Sequence, residues 1–486
     1  MRTAGVDRAC TEARHRAPAA LRDLIDWLRI PSVSADPRRA GDVLAAGRWL
    51  ALRLRRDGAD VRLLGDPTRP TVVGDFGPAP RGGAVVVVYG HYDVQPPGPG
   101  WTSPPFEPRS TAGKLVARGA SDDKGQLLAH LVAAEAWRAT GGLPVRLVVV
   151  AEGAEEVGSP GLLDVLHQVA GTVRPDLVVV SDTRRLTDRV PAVTVSQRGL
   201  VSAVLRVEVG GSPVHAGRRG GAVVDPGVVL AESLSRLAET LPRAVPPARP
   251  RRDVVALSDR RVRAEVAPRA THASRLDDRI TRCVSLHVVR LSSGGTTSAV
   301  PTSASARLDI RVPPGTGTDV VVDVVRRVLD GVAIDGVRVR LDVVSAEAGV
   351  EQHLAPHVER IVDAACLDGF GAHAARVRSG GSLPAAGQLR AAVGGDPVLL
   401  GLGPPEDGAH GPDEHVDLDG WRRGIVTCTA LLGRCVDAFA PPGRSGQGTL
   451  RHHPVTPRTP ALGSGRPRLS SHSADRTAHV PPGGTS

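Results

Sequence analysis

Apolar residues recur along this chain with two different periods, and the change from one to the other divides it into regions. Leu21, Leu24, Ile25 and Leu28 stand at helical spacing and predict a helix from Pro18 to Leu28, with Pro18 suited to its first turn. Ile30-Pro31-Ser32-Val33-Ser34 breaks that pattern, and a second helix is expected near Asp42 to Arg56. Ala84–Tyr89, Leu147–Ala151 and Leu177–Val180 are short, continuous and rich in valine, as strands buried on both faces are. Gln126–Thr140 and Pro160–Val169 read as helices between them, so this region alternates strand and helix as an α/β layer does.

Near Arg198 the texture changes. Val201–Val209, Val284–Leu291, Ala304–Val312 and Val337–Val344 read as strands, with helices at Val223–Leu241 and Val320–Leu329. That β-α-β-β-α-β order is typical of a ferredoxin-like α+β sandwich. Pro242–Cys283, rich in Arg and Pro, reads as a long loop. After Val350 the α/β texture returns, with a helix near His353–Leu367, a loop at Ser379–Pro384, a short strand at Pro397–Leu400 and a closing helix from Asp417 to Phe439. The expected architecture is an α/β domain in two pieces, 1–197 and 347–440, interrupted by a smaller domain at 198–346. Residues 441–486, made of Pro, Gly, Ser and Arg with little apolar content, are expected to be a disordered basic tail.

Composition agrees with two cores. A chain of 486 residues exceeds what one core usually holds, and with aromatics at 2% the interior must be built from Val, Ala and Leu. The formal charge of +10 invites a nucleic-acid reading, but the tail holds six arginines against one aspartate, and the body shows no basic stripe with interleaved aromatics. Specific nucleic-acid binding is therefore not expected, and polyanion binding through the tail is the alternative of another class. Five cysteines, odd in number and without Cys-x-x-Cys spacing, suggest neither a disulfide framework nor a thiolate site. The charged first residues and the lack of any membrane-length apolar stretch lead to the expectation of a cytoplasmic protein with no membrane association.

Chemistry is concentrated in five motifs: His91-Tyr92-Asp93, Ser121-Asp122-Asp123-Lys124-Gly125, Glu152-Gly153-Ala154-Glu155-Glu156, Ser181-Asp182-Thr183 and Gly408-Ala409-His410. Each lies beside a glycine or at the end of an apolar run, where a parallel sheet leaves its loops. A dinuclear hydrolytic site needs oxygen and imidazole ligands, one shared carboxylate and a further carboxylate to take a proton from water. Asp122 suits the shared position, between Gly119 and Gly125. Glu155 and Glu156 can divide ligation and proton transfer, and Asp93 can reach the outer nitrogen of His91. Singly, a His-x-Asp pair or a pair of glutamates is more often a solvated surface; the ordered set is what carries the reading. Asp123 and Lys124 read as loop supports, and His167, His373 and His415 as core or surface residues.

These motifs, with Gly90–Pro96, Arg118–Gly125, Glu152–Ser159 and Arg378-Ser379-Gly380-Gly381-Ser382-Leu383-Pro384, resemble the carnosinase-like dipeptidases of the co-catalytic zinc peptidase family, over roughly Leu21 to Ala438. The resemblance implies a zinc-peptidase-like catalytic domain with an inserted lid and dimerisation domain. It implies one ion on His91, Asp122 and Asp182, and another on Asp122, Glu156 and His410. The ions are expected to be zinc, with manganese or cobalt as alternatives. Glu155 is then the general base, Asp93 orients His91, and a metal-bound hydroxide attacks the amide of a dipeptide or short peptide. The resemblance further implies that His215, within Gly211–Gly217, reaches the site of a partner subunit in a homodimer, and that Arg311 and Ser382 meet the substrate. Ala216 stands where a serine is common, and Ser298 where Asn or Thr often leads its motif. An N-acyl-amino-acid deacylase of the same family is the nearer alternative; Gln95 and the Asp122-Asp123 pair favour the dipeptidase.

Overall fold

Valine-rich segments pack here in a sheet covered on both sides, and the alternation within each strand shows how. The computed structural model describes residues 2–78, 83–256, 276–295, 297–332 and 334–439. In Val85–His91, Val86 and Val88 face one buried cluster while Val87 and Tyr89 face another. In Arg146–Glu152, Leu147, Val149 and Ala151 join the first cluster and Val148 and Val150 the second. Burying each such side chain contributes roughly 1.5–3 kcal/mol. A strand with no solvated face is what a parallel sheet between helical layers requires.

The main sheet has ten strands. Its order runs Asp60–Leu64, Thr71–Asp75, Arg146–Glu152, Val85–His91, Leu177–Val180, Val398–Gly401, Ala192–Gln197, Ala375–Ser379 and Val255–Ala256, with Val350–Glu351 pairing off Ala192–Gln197. The four strands from Arg146–Glu152 to Val398–Gly401 are parallel. Helices Arg2–Leu28, Ala40–Arg56, Lys124–Ala139, Pro356–Phe370 and Leu418–Ala438 contribute to the cluster on one face, and Leu162–Ala170 and Pro384–Val393 to that on the other.

A separate four-stranded antiparallel sheet is formed from the middle of the chain, in the order Ser285–Ser293, Ser303–Val312, Gly199–Val209, Val337–Glu347. Helices Pro226–Ala244 and Thr318–Asp330 pack on it around Leu205, Leu230, Leu237, Leu308 and Val325. The main elements follow the β-α-β-β-α-β order. Residues 1–440 form one compact unit. The chain passes between the two sheets at Gly199 and Gly349, where a Cβ on Gly199 would sit 2.4 Å from the Glu347 carbonyl oxygen and one on Gly349 would sit 2.8 Å from the Gln197 carbonyl oxygen.

Three expectations need correction. Pro18 does not open a helix: it lies inside Arg2–Leu28. Val6, Ala9, Cys10, Ala13, Ala17, Ala20 and Leu24 form a buried stripe on that helix, and their packing offsets the roughly 3 kcal/mol cost of an interior proline. Alanines at helical spacing carry little hydropathy contrast, so the pattern hid the first four turns. Pro242–Cys283 is not all loop, since Val255–Ala256 extends the main sheet beside Ala375–Ser379 and Leu276–Thr281 is helical; residues 257–275 lie outside the described part. Pro384 ends no loop but starts the helix Pro384–Val393, where its fixed φ suits the first turn. The expected tail, 441–486, also lies outside the described residues. Among the described residues no helix is long and apolar enough to cross a membrane.

Candidate metal centre

Neighbouring strand ends bring the motif residues together. His91 ends Val85–His91, Glu155 and Glu156 lie on a 3-10 turn just beyond Arg146–Glu152, and Asp182 follows Leu177–Val180. Because these three strands are adjacent and parallel, their carboxyl ends open on one side of the sheet. Asp122 arrives on the loop before helix Lys124–Ala139, and His410 on the loop after Val398–Gly401.

Asp122 is shared. Its Oδ1 lies 3.0 Å from His91 Nε2, and its Oδ2 lies 3.0 Å from His410 Nε2. Asp182 Oδ2 is 3.7 Å from His91 Nε2, and Glu156 Oε2 is 3.3 Å from His410 Nε2. Two groups result, His91–Asp122–Asp182 and Asp122–Glu156–His410, and within each the donor atoms lie within 4.8 Å of one another. Imidazole and carboxylate donors in threes, joined through one carboxylate, are a donor set that fits a pair of divalent ions.

Electrostatics point the same way. Burial by itself would depress His91, but Asp122, Asp182 and Asp93 outweigh it and hold the imidazole well above its ordinary range. His410, also opposed by burial, is pushed up to about 11 by Asp122 and Glu156. Burial and the charge of Asp122 raise Asp182 to about 6. Burial likewise drives Glu155 well above the usual carboxylate range. So many carboxylates in a buried space need more positive charge than two imidazoles supply.

Asp93 organises both sides of the centre. His91 Nδ1 lies 3.1 Å from the Asp93 carbonyl oxygen and 3.4 Å from its Oδ1. A carbonyl only accepts, so Nδ1 carries a proton, and Nε2 is the ring nitrogen turned toward Asp122 that an ion would take in place of its proton. The Asp93 carboxylate in turn accepts the backbone N–H groups of Glu155 (3.2 Å) and Glu156 (3.1 Å) and the Ser34 hydroxyl (2.6 Å). One buried residue therefore orients an imidazole, chiefly through its carbonyl, and fixes through its carboxylate the turn that bears the glutamate pair. The Gln95 amide donates to Glu156 Oε2 at 2.8 Å. His410 adopts a left-handed φ of 62°. A side chain rarely takes that conformation unless its loop imposes it. Here Asp407 accepts the Ala409 N–H at 3.1 Å and Gly411 donates to the Gly408 carbonyl at 2.8 Å.

A cavity of about 620 Å³ opens beside these groups, lined among others by Asp122, Glu155, Asp182, Ser382, Glu406 and His410. Arg311 Nη1 donates to Ser382 Oγ at 2.8 Å, which links the four-stranded sheet to the cavity wall. His215 is not brought to the centre. It is exposed on the short strand Val214–His215, its Nδ1 accepting the Gly217 N–H at 3.1 Å, and it does not line the cavity of its own chain.

Several supports carry no sequence signal of their own. Buried Glu414 accepts the backbone N–H groups of Gly119 (3.0 Å), Ser121 (2.9 Å) and Asp122 (3.0 Å) and the Arg118 guanidinium (2.7 Å). Gln126 donates to the Ser121 carbonyl at 2.8 Å and accepts from the N–H groups of Leu402 and Gly403. Asp123 and Lys124, unlike these, were readable from the sequence as loop supports: Asp123 accepts the His91 N–H at 3.3 Å, and Lys124 donates to the Trp27 and Ile30 carbonyls.

Residues 87–434 match the description of Peptidase family M20/M25/M40. This chain belongs to that family. The Cys-Gly metallodipeptidase dug1 of Schizosaccharomyces pombe is 28% identical over 444 residues, covering 82% of this chain and 92% of that protein. The Beta-Ala-His dipeptidase of Homo sapiens is 28% identical over 383 residues, covering 72% and 74%. Among solved structures, the di-peptidase Dug1p of Saccharomyces cerevisiae has a TM-score of 0.77 at 23% identity, covering 89% of this chain and 98% of that one. Human carnosine dipeptidase 1 has a TM-score of 0.76 at 23% identity, covering 89% and 99%. At those identities the two structures establish the fold.

Proposed function

We propose that this chain is a two-metal dipeptidase that hydrolyses the amide bond of dipeptides or short peptides. The observation that carries the reading is the Asp122 carboxylate, whose two oxygens face the two imidazoles. His91, Asp122 and Asp182 would hold one ion and Asp122, Glu156 and His410 the other. Imidazole with carboxylate favours zinc, and manganese or cobalt suits the same donors. Bound there, the ions supply Lewis acidity toward the scissile carbonyl and make a water acidic enough to ionise near neutral pH.

The protein's own groups do the rest. Glu155, in the cavity wall but in neither ligand group, takes the proton from water and delivers it to the leaving amine. Burial raises its proton affinity, which suits a group that must hold a proton between those two steps. Asp93 keeps His91 in the tautomer that leaves Nε2 unprotonated. Arg311 and Ser382 receive the substrate carboxylate.

The segment 198–346 acts as lid and dimerisation domain in this reading. Its edge strand Ser285–Ser293 leaves Val288, Val289 and Leu291 exposed, and the opposite edge exposes Val344, surfaces that a second copy would cover. An exposed His215 then serves the partner's site. The five cysteines are all free, and four are buried, which supports a reducing, cytoplasmic setting. The testing experiment offers dipeptides and N-acyl amino acids with the same C-terminal residue, in the presence of zinc, manganese or cobalt. Dipeptides should be cleaved preferentially; cleavage of the N-acyl compounds alone would overturn the reading.

A further inference from the structure

The carboxylates that line the cavity are Asp122, Glu155, Asp182, Glu406 and Asp407. Asp122 and Asp182 belong to the ligand groups, and Glu155 stands beside them. Asp407 is buried and already engaged, accepting the Ser121 hydroxyl at 2.9 Å and the Ala409 N–H at 3.1 Å, with Arg184 3.9 Å away. Glu406 is different: it is exposed at the cavity, and no hydrogen bond or ion pair with the described residues occupies it.

Charge makes that isolation informative. Two divalent ions would be balanced formally by Asp122, Asp182, Glu155 and Glu156. Glu406 is then a surplus negative charge in the wall of a space meant for substrate. Of the cationic groups here, Arg184 lines the cavity beside Asp407, and Arg311 reaches the cavity through Ser382 on the separate 380–383 loop. A dipeptide carries an ammonium at one end and a carboxylate at the other, and an N-acyl amino acid carries only the carboxylate. The wall thus offers a partner for each end of the dipeptide.

We propose that Glu406 is a specificity residue that receives the free α-ammonium group of the substrate and selects peptides with an uncapped N-terminus over N-acylated ones. The proposal rests on the dipeptidase reading and goes beyond it by naming the group that discriminates. An ammonium–carboxylate hydrogen bond on a desolvated substrate is among the stronger polar contacts, and deleting the charge on one side weakens binding of that substrate alone.

The test compares a dipeptide with its N-acetylated form on wild type, Glu406→Gln and Glu406→Asp, each loaded with zinc. Circular dichroism and metal content should be unchanged, because Glu406 is exposed and lies outside both ligand groups. Glu406→Gln should raise KM for the free dipeptide about tenfold and leave that for the acetylated form unmoved, while Glu406→Asp restores part of the preference. Added salt should raise KM for the free dipeptide in wild type and much less in Glu406→Gln. If wild type cleaves the free dipeptide and Glu406→Gln shows the same ratio of the two substrates, the assignment of Glu406 is wrong and the dipeptidase reading stands. If wild type cleaves only the acetylated form, the dipeptidase reading falls and this assignment with it.

Discussion

Glu414 accepts the backbone N–H of Asp122 at 3.0 Å across 292 positions of sequence. The loop that presents the shared carboxylate is therefore set by a residue from the far end of the chain, and that residue is itself paired with Arg118 at 2.7 Å. Both partners are almost fully buried. Replacing Glu414 with Gln should leave the Arg118 charge uncompensated and turn an amide toward N–H donors. A loss of about 3–5 kcal/mol is expected from such a break. Urea denaturation checks the stability, and elemental analysis should show that bound metal falls with it.

Glu155→Gln should abolish most hydrolysis while leaving metal content near that of wild type, since Glu155 is in neither ligand group. A fall on the order of 10²–10⁴ in kcat is expected for loss of a general base. Asp122→Ala should lose metal as well as rate. Turnover by Glu155→Gln close to that of wild type would assign proton transfer elsewhere.

Subunits carrying His215→Ala, mixed with subunits carrying Glu155→Gln, should recover activity that neither has alone. His215 is exposed and does not line its own chain's cavity, so one of the two hybrid sites would receive both intact groups. Random pairing predicts about a quarter of wild-type activity. Heterodimers shown to form but without recovery would place His215 outside the partner's site.

His130, outside both ligand groups but bonded to Ser181 beside Asp182, gives a pH signature. Buried between Ser181 Oγ (2.8 Å) and Cys428 Sγ (3.7 Å), it is depressed by burial from 6.5 to about 4. The unfolded chain binds this proton as pH falls through 6.5, whereas the folded chain does so only near 4. Stability is thus full above 6.5 and declines between 6.5 and 4, by roughly 3 kcal/mol from this group. Denaturation across that range should show a smaller decline in His130→Gln than in wild type.

What the sequence made legible follows from what is local in it. His91, Asp122, Glu155, Glu156, Asp182 and His410 each sit in a short motif beside a glycine or at the end of an apolar run, so their meeting at one end of a sheet was readable. The β-α-β-β-α-β order was readable because period-2 and period-3.6 segments alternate cleanly there. Glu414, Gln126 and Ser34 were not, because each ties in backbone or side chains that lie 59 to 296 positions away and has no patterned neighbours. The first turns of Arg2–Leu28 were missed because alanine packs well without marking a face. Helix Pro384–Val393 was missed because Pro384 follows a Gly/Ser run that reads as punctuation.

Two ions and a dipeptide are proposed to meet at Asp122. This is tested most directly by stripping the protein with chelator and restoring zinc stepwise while following dipeptide hydrolysis and bound metal together. Activity should be absent at the start and reach its plateau as bound zinc approaches two per chain. Full hydrolysis by the stripped protein, or a plateau reached without bound metal, would mean that hydrolysis does not depend on ions at Asp122.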